Sequence, residues 1–225
     1  MIVIKRGKEP NSLLKFRKEN PDADYETDMP TDVLKDIREQ MWEEQRCLCA
    51  YCMKKIEAPS VVRIEHCRPR HPQDEQEHDK KATLDFKWML GVCYGNSLVR
   101  GVKPEDKTCD AHRGNTELTV NPFDEMSVRK IKYKADGSIY SEDAEINKDV
   151  TETLNLNCQA LSLPQTRKNV LMAEKNRIMR KCKGKSQDAF MRELERTYAS
   201  LTQERNLTPY CGIIISWIES KLKIS

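Results

Sequence analysis

The sequence predicts an α+β fold, in which a small core held together by structural zinc lies between an N-terminal helix and a helical C-terminal region. Three observations support this. Four cysteines in the first half form a close pair and a wider pair. Short β-like runs lie among them, and apolar residues recur at helical spacing before them and in the last third. We expect an arm and helix over 1–46, the core over 47–125, and a hairpin with helices over 126–225 that packs on the core and contacts a partner.

Composition indicates a highly charged globular protein without a membrane segment. The chain has 225 residues, of which 38% are hydrophobic and 33% charged. No apolar run approaches the ~20 residues of a membrane span, and the N-terminus lacks the pattern of a secretory signal. We therefore expect a cytoplasmic protein with no membrane partner. In a reducing compartment, its nine cysteines are more typical of metal binding than of disulfides.

The first 46 residues predict an irregular arm and then one helix. A β-like run at 2–4 precedes a polar stretch that contains three prolines. Thr31 is a suitable N-cap. Apolar residues then recur on one face of a helix that continues to about Arg46: Leu34, Ile37 and Met41.

The middle of the chain predicts two short strands and a short helix. Residues 61–64 form a strand-like run that leads into Glu65 and His66. A second apolar run, 84–92, ends at the third cysteine of the quartet. Residues 109–114 suit a short helix.

The last third predicts a hairpin and three helices. Residues 131–140 alternate around an Asp-Gly dipeptide, which favours a two-residue turn. Ser162 or Pro164 can begin one helix, and Ser186 can cap the next. An apolar segment follows Pro209, and the polar residues on its other face favour packing on the core.

One basic run has two interpretations. Residues 167–185 contain eight Lys or Arg and the single acid Glu174. Such a run can bind phosphates, or it can form the solvated face of a helix. The formal net charge of +3 does not decide between them.

Four cysteines are candidates for the zinc site: Cys49, Cys52, Cys93 and Cys109. The C-x₂-C spacing of the first two lets both thiolates reach one ion across a tight turn. The second pair is a weaker signal, because 15 residues separate its members. Cys47 and Cys67 are competing ligands, and ordinary buried thiols are the alternative to a metal site.

A hydrolytic site is the second prediction. Imidazole suits a general base because its pKa of ~6.5 lies near working pH, and carboxylates hold divalent cations. Adjacent residues at a strand end face opposite sides, so Glu65 can hold a metal while His66 contacts water. Asp110, at the start of the short helix, can supply a second carboxylate. A Glu-His dipeptide is common, so only its position among the cysteines is informative.

These motifs together resemble a known family. They are Cys49-x₂-Cys52, Ile64-Glu65-His66-x₂-Pro69, Met89-Leu90-Gly91-Val92-Cys93 and Cys109-Asp110-x₂-Arg113-Gly114-Asn115. The chain resembles HNH endonucleases and, more narrowly, the HNH nuclease subunit of Septu anti-phage defence systems, including versions encoded with retrons. Further similar stretches extend the resemblance over most of the chain: 1–6, 45–52, 121–122, 153–157 and 209–212.

The resemblance implies a ββα-metal fold that hydrolyses phosphodiester bonds of DNA or RNA. In this fold His66 would be the general base, Glu65 and Asp110 would bind a catalytic Mg²⁺ or Mn²⁺, and the cysteines would bind structural zinc. The implied partners are the nucleic acid substrate, an ABC/SMC-like ATPase subunit and, for retron versions, a reverse transcriptase with its RNA–DNA product.

The chain departs from the usual HNH pattern at Trp88. An asparagine at that place normally ties the loop that carries the base to the rest of the motif, and tryptophan cannot accept such a hydrogen bond. Asn96 or Asn115 can stand in, the base can be held otherwise, or the enzyme is impaired in isolation. His112 is a further candidate ligand or phosphate contact, ranked below Asp110 because the two lie on different helix faces.

Several basic residues near the presumed site are candidates for substrate positioning or for surface ion pairs: Arg63, Arg68, Arg70, His71 and Arg113. Two functions without catalysis are alternatives. One is a zinc-stabilised nucleic-acid-binding module that works through 167–185. The other is an assembly subunit whose final helices dock a partner.

Overall fold

The computed structural model describes residues 1–70, 80–203 and 207–224. Helices dominate this part of the chain, and its strands form two small antiparallel sheets of two strands each. The predicted α+β class is therefore confirmed. His71 lies outside the described residues. Within those residues, no helix combines the length and the apolar character needed to cross a bilayer.

Two helices form the N-terminal part, α1 (Asn11–Glu19) and α2 (Thr31–Glu44), and they pack on each other. We expected an irregular arm where α1 lies, because that segment is mostly polar. One fully buried side chain, Leu13, anchors α1, and tertiary packing of this kind stabilises helices of weak pattern. Thr31 is the first residue of α2 and makes no capping hydrogen bond.

The middle of the chain forms the first sheet. Strand β1 (Arg63–His66) pairs antiparallel with β2 (Met89–Val92), and Glu65 lies opposite Leu90 in the register. The connecting chain includes α3 (Lys80–Thr83). The predicted short helix is α4 (Asp110–Arg113). Short 3₁₀ turns cover three further segments: Pro59–Val61, Phe86–Trp88 and Pro104–Asp106.

The predicted hairpin forms the second sheet. Helix α5 (Glu125–Arg129) leads into β3 (Ile131–Tyr133), and β4 (Ile139–Ser141) leads into α6 (Ala144–Lys148). The hydrogen bond from Lys134 N–H to the Ser138 carbonyl, 2.9 Å, closes a loop of three residues rather than the expected two. Helix α6 continues into a π-helical turn, Asp149–Thr153.

Three helices complete the chain: α7 (Leu163–Cys182), α8 (Gln187–Gln203) and α9 (Gly212–Leu222). The predicted cap of α8 is confirmed, because the Ser186 hydroxyl accepts a hydrogen bond from Ala189 N–H at 3.3 Å. Met179 on α7 is 62% exposed.

Two hydrophobic clusters meet at the turn that carries Cys49 and Cys52. The first surrounds α2, β1 and β2 and contains both of these cysteines. The second lies beneath α7, α8 and α9 and takes in Leu48 and Met53, which flank the turn. Residues of one short segment therefore pack into both clusters.

Candidate metal centre and the adjoining cleft

The four predicted zinc cysteines lie together. Their sulfur atoms are all within 4.8 Å of one another, with separations of 3.9 Å for Cys49–Cys109, 3.7 Å for Cys52–Cys93 and 3.8 Å for Cys93–Cys109. A tetrahedral zinc site with Zn–S bonds of ~2.3 Å has sulfur–sulfur edges of ~3.8 Å, whereas a disulfide is ~2.05 Å long. The quartet therefore fits one structural zinc ion.

Local backbone geometry brings the first two sulfurs together. Met53 N–H donates to the Cys49 carbonyl at 3.0 Å, and Cys49 N–H donates to the Lys54 carbonyl at 2.9 Å, which closes a tight turn. Lys54 N–H also points at the Cys52 sulfur, 3.4 Å away. A backbone N–H directed at a sulfur stabilises the thiolate that zinc requires.

Gln45 fastens this turn to β2. Its side-chain amide donates to the carbonyls of Leu48, at 2.9 Å, and Gly91, at 2.6 Å, and its oxygen accepts from Gly91 N–H at 2.7 Å. Cys93 follows β2 directly. The Gln45 contacts therefore hold the turn of Cys49 and Cys52 close to Cys93. Sequence reasoning noted Gln45 only as part of the resemblance.

The fourth cysteine enters through a closed loop. Thr108 N–H donates to the Gly95 carbonyl at 3.0 Å, and Cys109 N–H donates to the Leu154 carbonyl at 2.9 Å. Gly95 has φ +52°, and a Cβ there would lie 2.0 Å from the Thr108 carbonyl oxygen. The loop between Cys93 and Cys109 therefore needs glycine at this position.

The sulfur cluster favours a thiolate. Hydrogen bonds from Cys109 and then from Cys49 and Cys52 lower the pKa of Cys93. Hydrogen bonding to Cys49 in turn raises the pKa of Cys109. Zinc binds thiolates, so a dication at the centre of this cluster would replace the thiol protons and bind all four sulfurs.

The competing cysteines do not join the cluster. Burial raises the pKa of Cys67 to about 12, which keeps it a neutral thiol. Within the described ranges, the quartet is the single group of three or more His, Cys, Asp or Glu whose ligand atoms could meet at one ion.

A polar cleft of about 250 Å³ adjoins the cluster along β1 and α4. Tyr25, which was not predicted, lines this cleft. The predicted site residues that line it are Arg63, Glu65, His66, Arg70, Asp110, Arg113 and Asn115. The folded chain thus brings the proposed base, both proposed carboxylate ligands and four arginines, of which Arg38 was not predicted, to one opening.

Glu65 is 7% exposed and pairs with two donors. Its carboxylate accepts a hydrogen bond from the Tyr51 hydroxyl at 3.1 Å and forms an ion pair with Arg113. Burial raises the pKa of Glu65, Arg113 opposes the rise, and the nearby Asp110 carboxylate adds to it. Two carboxylates that repel each other in a buried site favour a cation between them.

Asp110 has a cation of its own. Its carboxylate forms an ion pair with the guanidinium of Arg63. The Arg63 side chain is 42% exposed, whereas that of Arg113 is 1% exposed. A metal bound by Glu65 and Asp110 would displace Arg63 far more easily than Arg113.

His66 is 5% exposed and lies edge-on to the Tyr25 ring, with centroids 4.6 Å apart. Its Nε2 lies 2.9 Å from the Thr83 carbonyl oxygen. That oxygen only accepts hydrogen bonds, so Nε2 carries the proton and Nδ1 is the basic nitrogen. Burial lowers the pKa of His66 to about 4, so the ring is neutral at physiological pH.

Arg113 joins the end of β1 to α4. Its guanidinium donates to the main-chain carbonyls of His66 at 2.8 Å, Cys67 at 2.7 Å and Thr116 at 2.7 Å, and it pairs with Glu65. Because it is 3% exposed, it is a supporting residue rather than a free phosphate contact. The motif, in which Gly114 and Asn115 follow Arg113, did not indicate that this arginine would hold the loop after His66.

At Trp88, where the resemblance leads us to expect an asparagine, the main chain holds the loop after His66. The Trp88 carbonyl accepts from Cys67 N–H at 2.8 Å, so the loop after His66 is still tied to β2. The Trp88 ring lies beneath the Arg68 guanidinium, 5.1 Å from its centroid. The Arg113 guanidinium also donates to the Cys67 carbonyl at 2.7 Å, so two hydrogen bonds hold this loop.

The remaining candidates divide between the cleft and other places. Asn115 lines the cleft. Asn96 donates instead to the Asp106 carbonyl at 3.1 Å, and His112 Nδ1 lies 3.0 Å from the Thr153 carbonyl oxygen. Neither Asn96 nor His112 is among the residues that line the cleft.

No protein-family model matches this chain, and a comparison with curated proteins finds no match. Its function therefore has to be inferred from its own motifs, the cysteine quartet and the adjoining cleft.

Proposed function

We propose that this chain is a metal-dependent HNH endonuclease with a ββα-metal core that hydrolyses phosphodiester bonds of DNA or RNA. One observation carries the proposal. Two antiparallel strands and then a short helix place His66, Glu65 and Asp110 around one polar cleft beside a four-cysteine cluster. Their order in the chain is that of the motifs that resemble HNH enzymes.

Glu65 and Asp110 would hold the catalytic Mg²⁺ or Mn²⁺. Such an ion would supply charge to stabilise the scissile phosphate and its leaving oxygen. The raised pKa of Glu65, caused by burial and by the neighbouring Asp110, supports this assignment, because a dication relieves both effects. Arg63 holds Asp110 in place until the ion binds.

His66 would act as the general base. The Thr83 carbonyl orients the ring through Nε2, which leaves Nδ1 to take the proton of the attacking water. Burial lowers the pKa of the imidazole, which keeps the ring in the neutral form that accepts a proton and makes it a weaker base than free imidazole. Arg70, which also lines the cleft, is suited to hold phosphate oxygens.

The biological setting follows from the resemblance. As a Septu-type subunit the chain would be the effector of an antiviral defence complex, with an ABC/SMC-like ATPase and, in a retron system, a reverse transcriptase with its RNA–DNA product. Structural zinc would keep the cleft in shape.

The decisive experiment is a cleavage panel with the intact operon-encoded complex and magnesium or manganese. We expect degradation of a DNA or an RNA substrate, its loss in His66→Ala, and unchanged zinc content. His112→Ala is the matched control, because that imidazole faces Thr153 instead of the cleft. Cleavage that persists in His66→Ala would refute the assignment of the base.

A zinc-stabilised nucleic-acid-binding or assembly subunit is the second candidate. The observation that favours it is that both carboxylates of the cleft already pair with arginines, Arg63 and Arg113. In that case His66→Ala would leave function intact, whereas Cys49→Ser would abolish it through unfolding.

A further inference from the structure

The basic run at 167–185 does not form one surface. Arg167 is 2% exposed, and its guanidinium donates to the carbonyls of Gly137 at 2.6 Å and Leu156 at 2.8 Å. Lys175 lies over the Trp217 ring, 5.1 Å from its centroid. These two cations serve packing, so any anion-binding surface must lie elsewhere on the run.

Positive charge is concentrated at the far end of α7 and the adjoining part of α8. Residues 175–196 contain eight Lys or Arg and three Asp or Glu, a local charge of +5, whereas the whole chain carries +3. The rest of the chain is therefore slightly acidic. A field of this kind attracts polyanions to one end of the molecule.

This end contains a small cleft of about 160 Å³ between the two helices. We call it the basic cleft and define it by its four cations: Lys181, Lys185, Arg192 and Arg196. All four are exposed.

One buried acid organises the basic cleft. The Glu193 carboxylate, 5% exposed, lies 2.9 Å from Lys181, 3.3 Å from Arg177 and 3.2 Å from Arg196. Desolvation opposes its ionisation, but Lys181 and then Arg177 lower its pKa overall. The Glu193 carboxylate thus pairs with three cations, of which Arg177 also pairs with Glu174 at 2.7 Å, and the charge of the basic cleft remains positive.

Two further cations of the cleft are uncommitted. Across the described ranges, Lys185 and Arg192 form no ion pair. They are therefore available to a ligand without breaking an internal contact. Lysine and arginine in this state give the salt-sensitive contacts that bind phosphate backbones.

The basic cleft lies away from the zinc cluster. Near the start of helix α7, the Arg167 guanidinium donates a hydrogen bond to the Leu156 carbonyl at 2.8 Å. Two residues before Leu156, the Leu154 carbonyl accepts a hydrogen bond from Cys109 N–H. From Leu163 to Cys182 helix α7 extends by roughly 28 Å, at ~1.5 Å per residue. The basic cleft and the polar cleft share no lining residue, so a ligand can bind at the one without occupying the other.

We propose that the basic cleft binds the phosphate backbone of a nucleic acid and so anchors the substrate of the proposed nuclease at a distance from its point of cleavage. The role as a substrate anchor rests on the proposed nuclease function. The test of binding is independent of that function, because binding can be measured without cleavage.

The test measures binding of fluorescent single-stranded and duplex oligonucleotides to the zinc-loaded full chain over a salt series, with no magnesium or manganese added. The variant carries Lys185→Gln and Arg192→Gln. We expect weaker binding and a salt slope reduced by about 1.8 for duplex DNA, from ~0.9 for each lost phosphate contact. The matched control carries Lys15→Gln and Lys18→Gln, two exposed cations on α1, and should bind like wild type.

Glu193→Gln is a second variant with the opposite expected sign. It replaces the one acid of the cleft with a neutral side chain of the same size, so Lys181 and Arg196 lose their ion-pair partner and become available to phosphate, and oligonucleotide affinity should rise. Equal affinity and slope for the Lys185/Arg192 variant and its control would overturn the proposal, even if the complex cleaves nucleic acid. Binding of polyglutamate but of neither oligonucleotide would also overturn it. Salt-dependent binding lost in the cleft variant would support it, even if no cleavage is found.

Discussion

The hydroxyl of Tyr51 lies 3.1 Å from the carboxylate of Glu65. Tyr51 stands between the two cysteines of the C-x₂-C turn and is 1% exposed, whereas Glu65 lines the polar cleft. The Tyr51 side chain therefore connects the C-x₂-C turn to the wall of the proposed active site. If the turn loses its structure, Glu65 loses this hydrogen-bond donor.

Replacing Tyr51 with phenylalanine should weaken this connection. The buried carboxylate loses one of its two donors, so we expect a loss of about 1–3 kcal/mol in unfolding free energy. Zinc content should stay unchanged. Chemical denaturation in zinc-containing buffer measures the effect.

Tyr140→Phe is the control, because within the described residues the Tyr140 hydroxyl makes no hydrogen bond. Equal stability of the two variants would show that the Tyr51–Glu65 contact contributes nothing.

Loss of one zinc ligand should unfold the core. Cys52→Ser removes one of four thiolates, and because metal-binding free energy in such sites is folding free energy, we expect loss of both bound zinc and cooperative unfolding. Elemental analysis and thermal denaturation measure these two quantities.

Cys182→Ser is the matched control for this substitution. Cys182 lies at the end of α7, outside the sulfur cluster, so this variant should keep about one zinc ion per chain, as a four-thiolate site requires. Full zinc content in Cys52→Ser would contradict the assigned ligand set.

A pair of glycine substitutions separates a steric clash from backbone strain. Gly95 and Gly101 both have positive φ, +52° and +72°, so alanine costs either position about 1–2 kcal/mol of backbone energy. A Cβ added at Gly95 would also lie 2.0 Å from the Thr108 carbonyl oxygen. A Cβ added at Gly101 would have none of the surrounding atoms within 4 Å.

Gly95→Ala should therefore displace Thr108 and with it the adjoining ligand Cys109, and zinc should be released faster to a chromogenic chelator. Gly101→Ala should release zinc at the wild-type rate. Identical release from both variants would show that the closed loop does not support the metal site.

Arg113→Lys tests how the loop after His66 is held. Lysine keeps the positive charge near Glu65 but cannot donate to the carbonyls of His66 and Cys67 together, as the guanidinium does. Leaving buried acceptors unpaired should cost about 1–3 kcal/mol. If the chain is the proposed nuclease, cleavage should fall while zinc stays bound.

Arg129→Lys is the control, since its pairing with Glu125 is at the surface and should contribute little. Wild-type stability of Arg113→Lys would show that the fork geometry is dispensable.

What the sequence determined by itself was local or strongly patterned. C-x₂-C spacing constrains the sulfurs of Cys49 and Cys52 within one turn. Cys93 and Cys109 were predicted on a weaker signal, and the structure brings all four together. Alternation around a turn predicted the β3–β4 hairpin, and Ser186 predicted the start of α8. In each case the residues that decide the outcome are neighbours in the chain or belong to a recognisable set.

Only the tertiary structure decided the rest. Arg113 reaches Glu65 across 48 positions of sequence, and the sequence did not show whether it would be buried or would face solvent. Within 167–185, Arg167 is buried, Lys175 lies over a tryptophan ring, and Arg177 and Lys181 form ion pairs, because packing sets which side of α7 faces the core. A side chain's surroundings depend on contacts between distant segments, and composition or spacing does not contain that information.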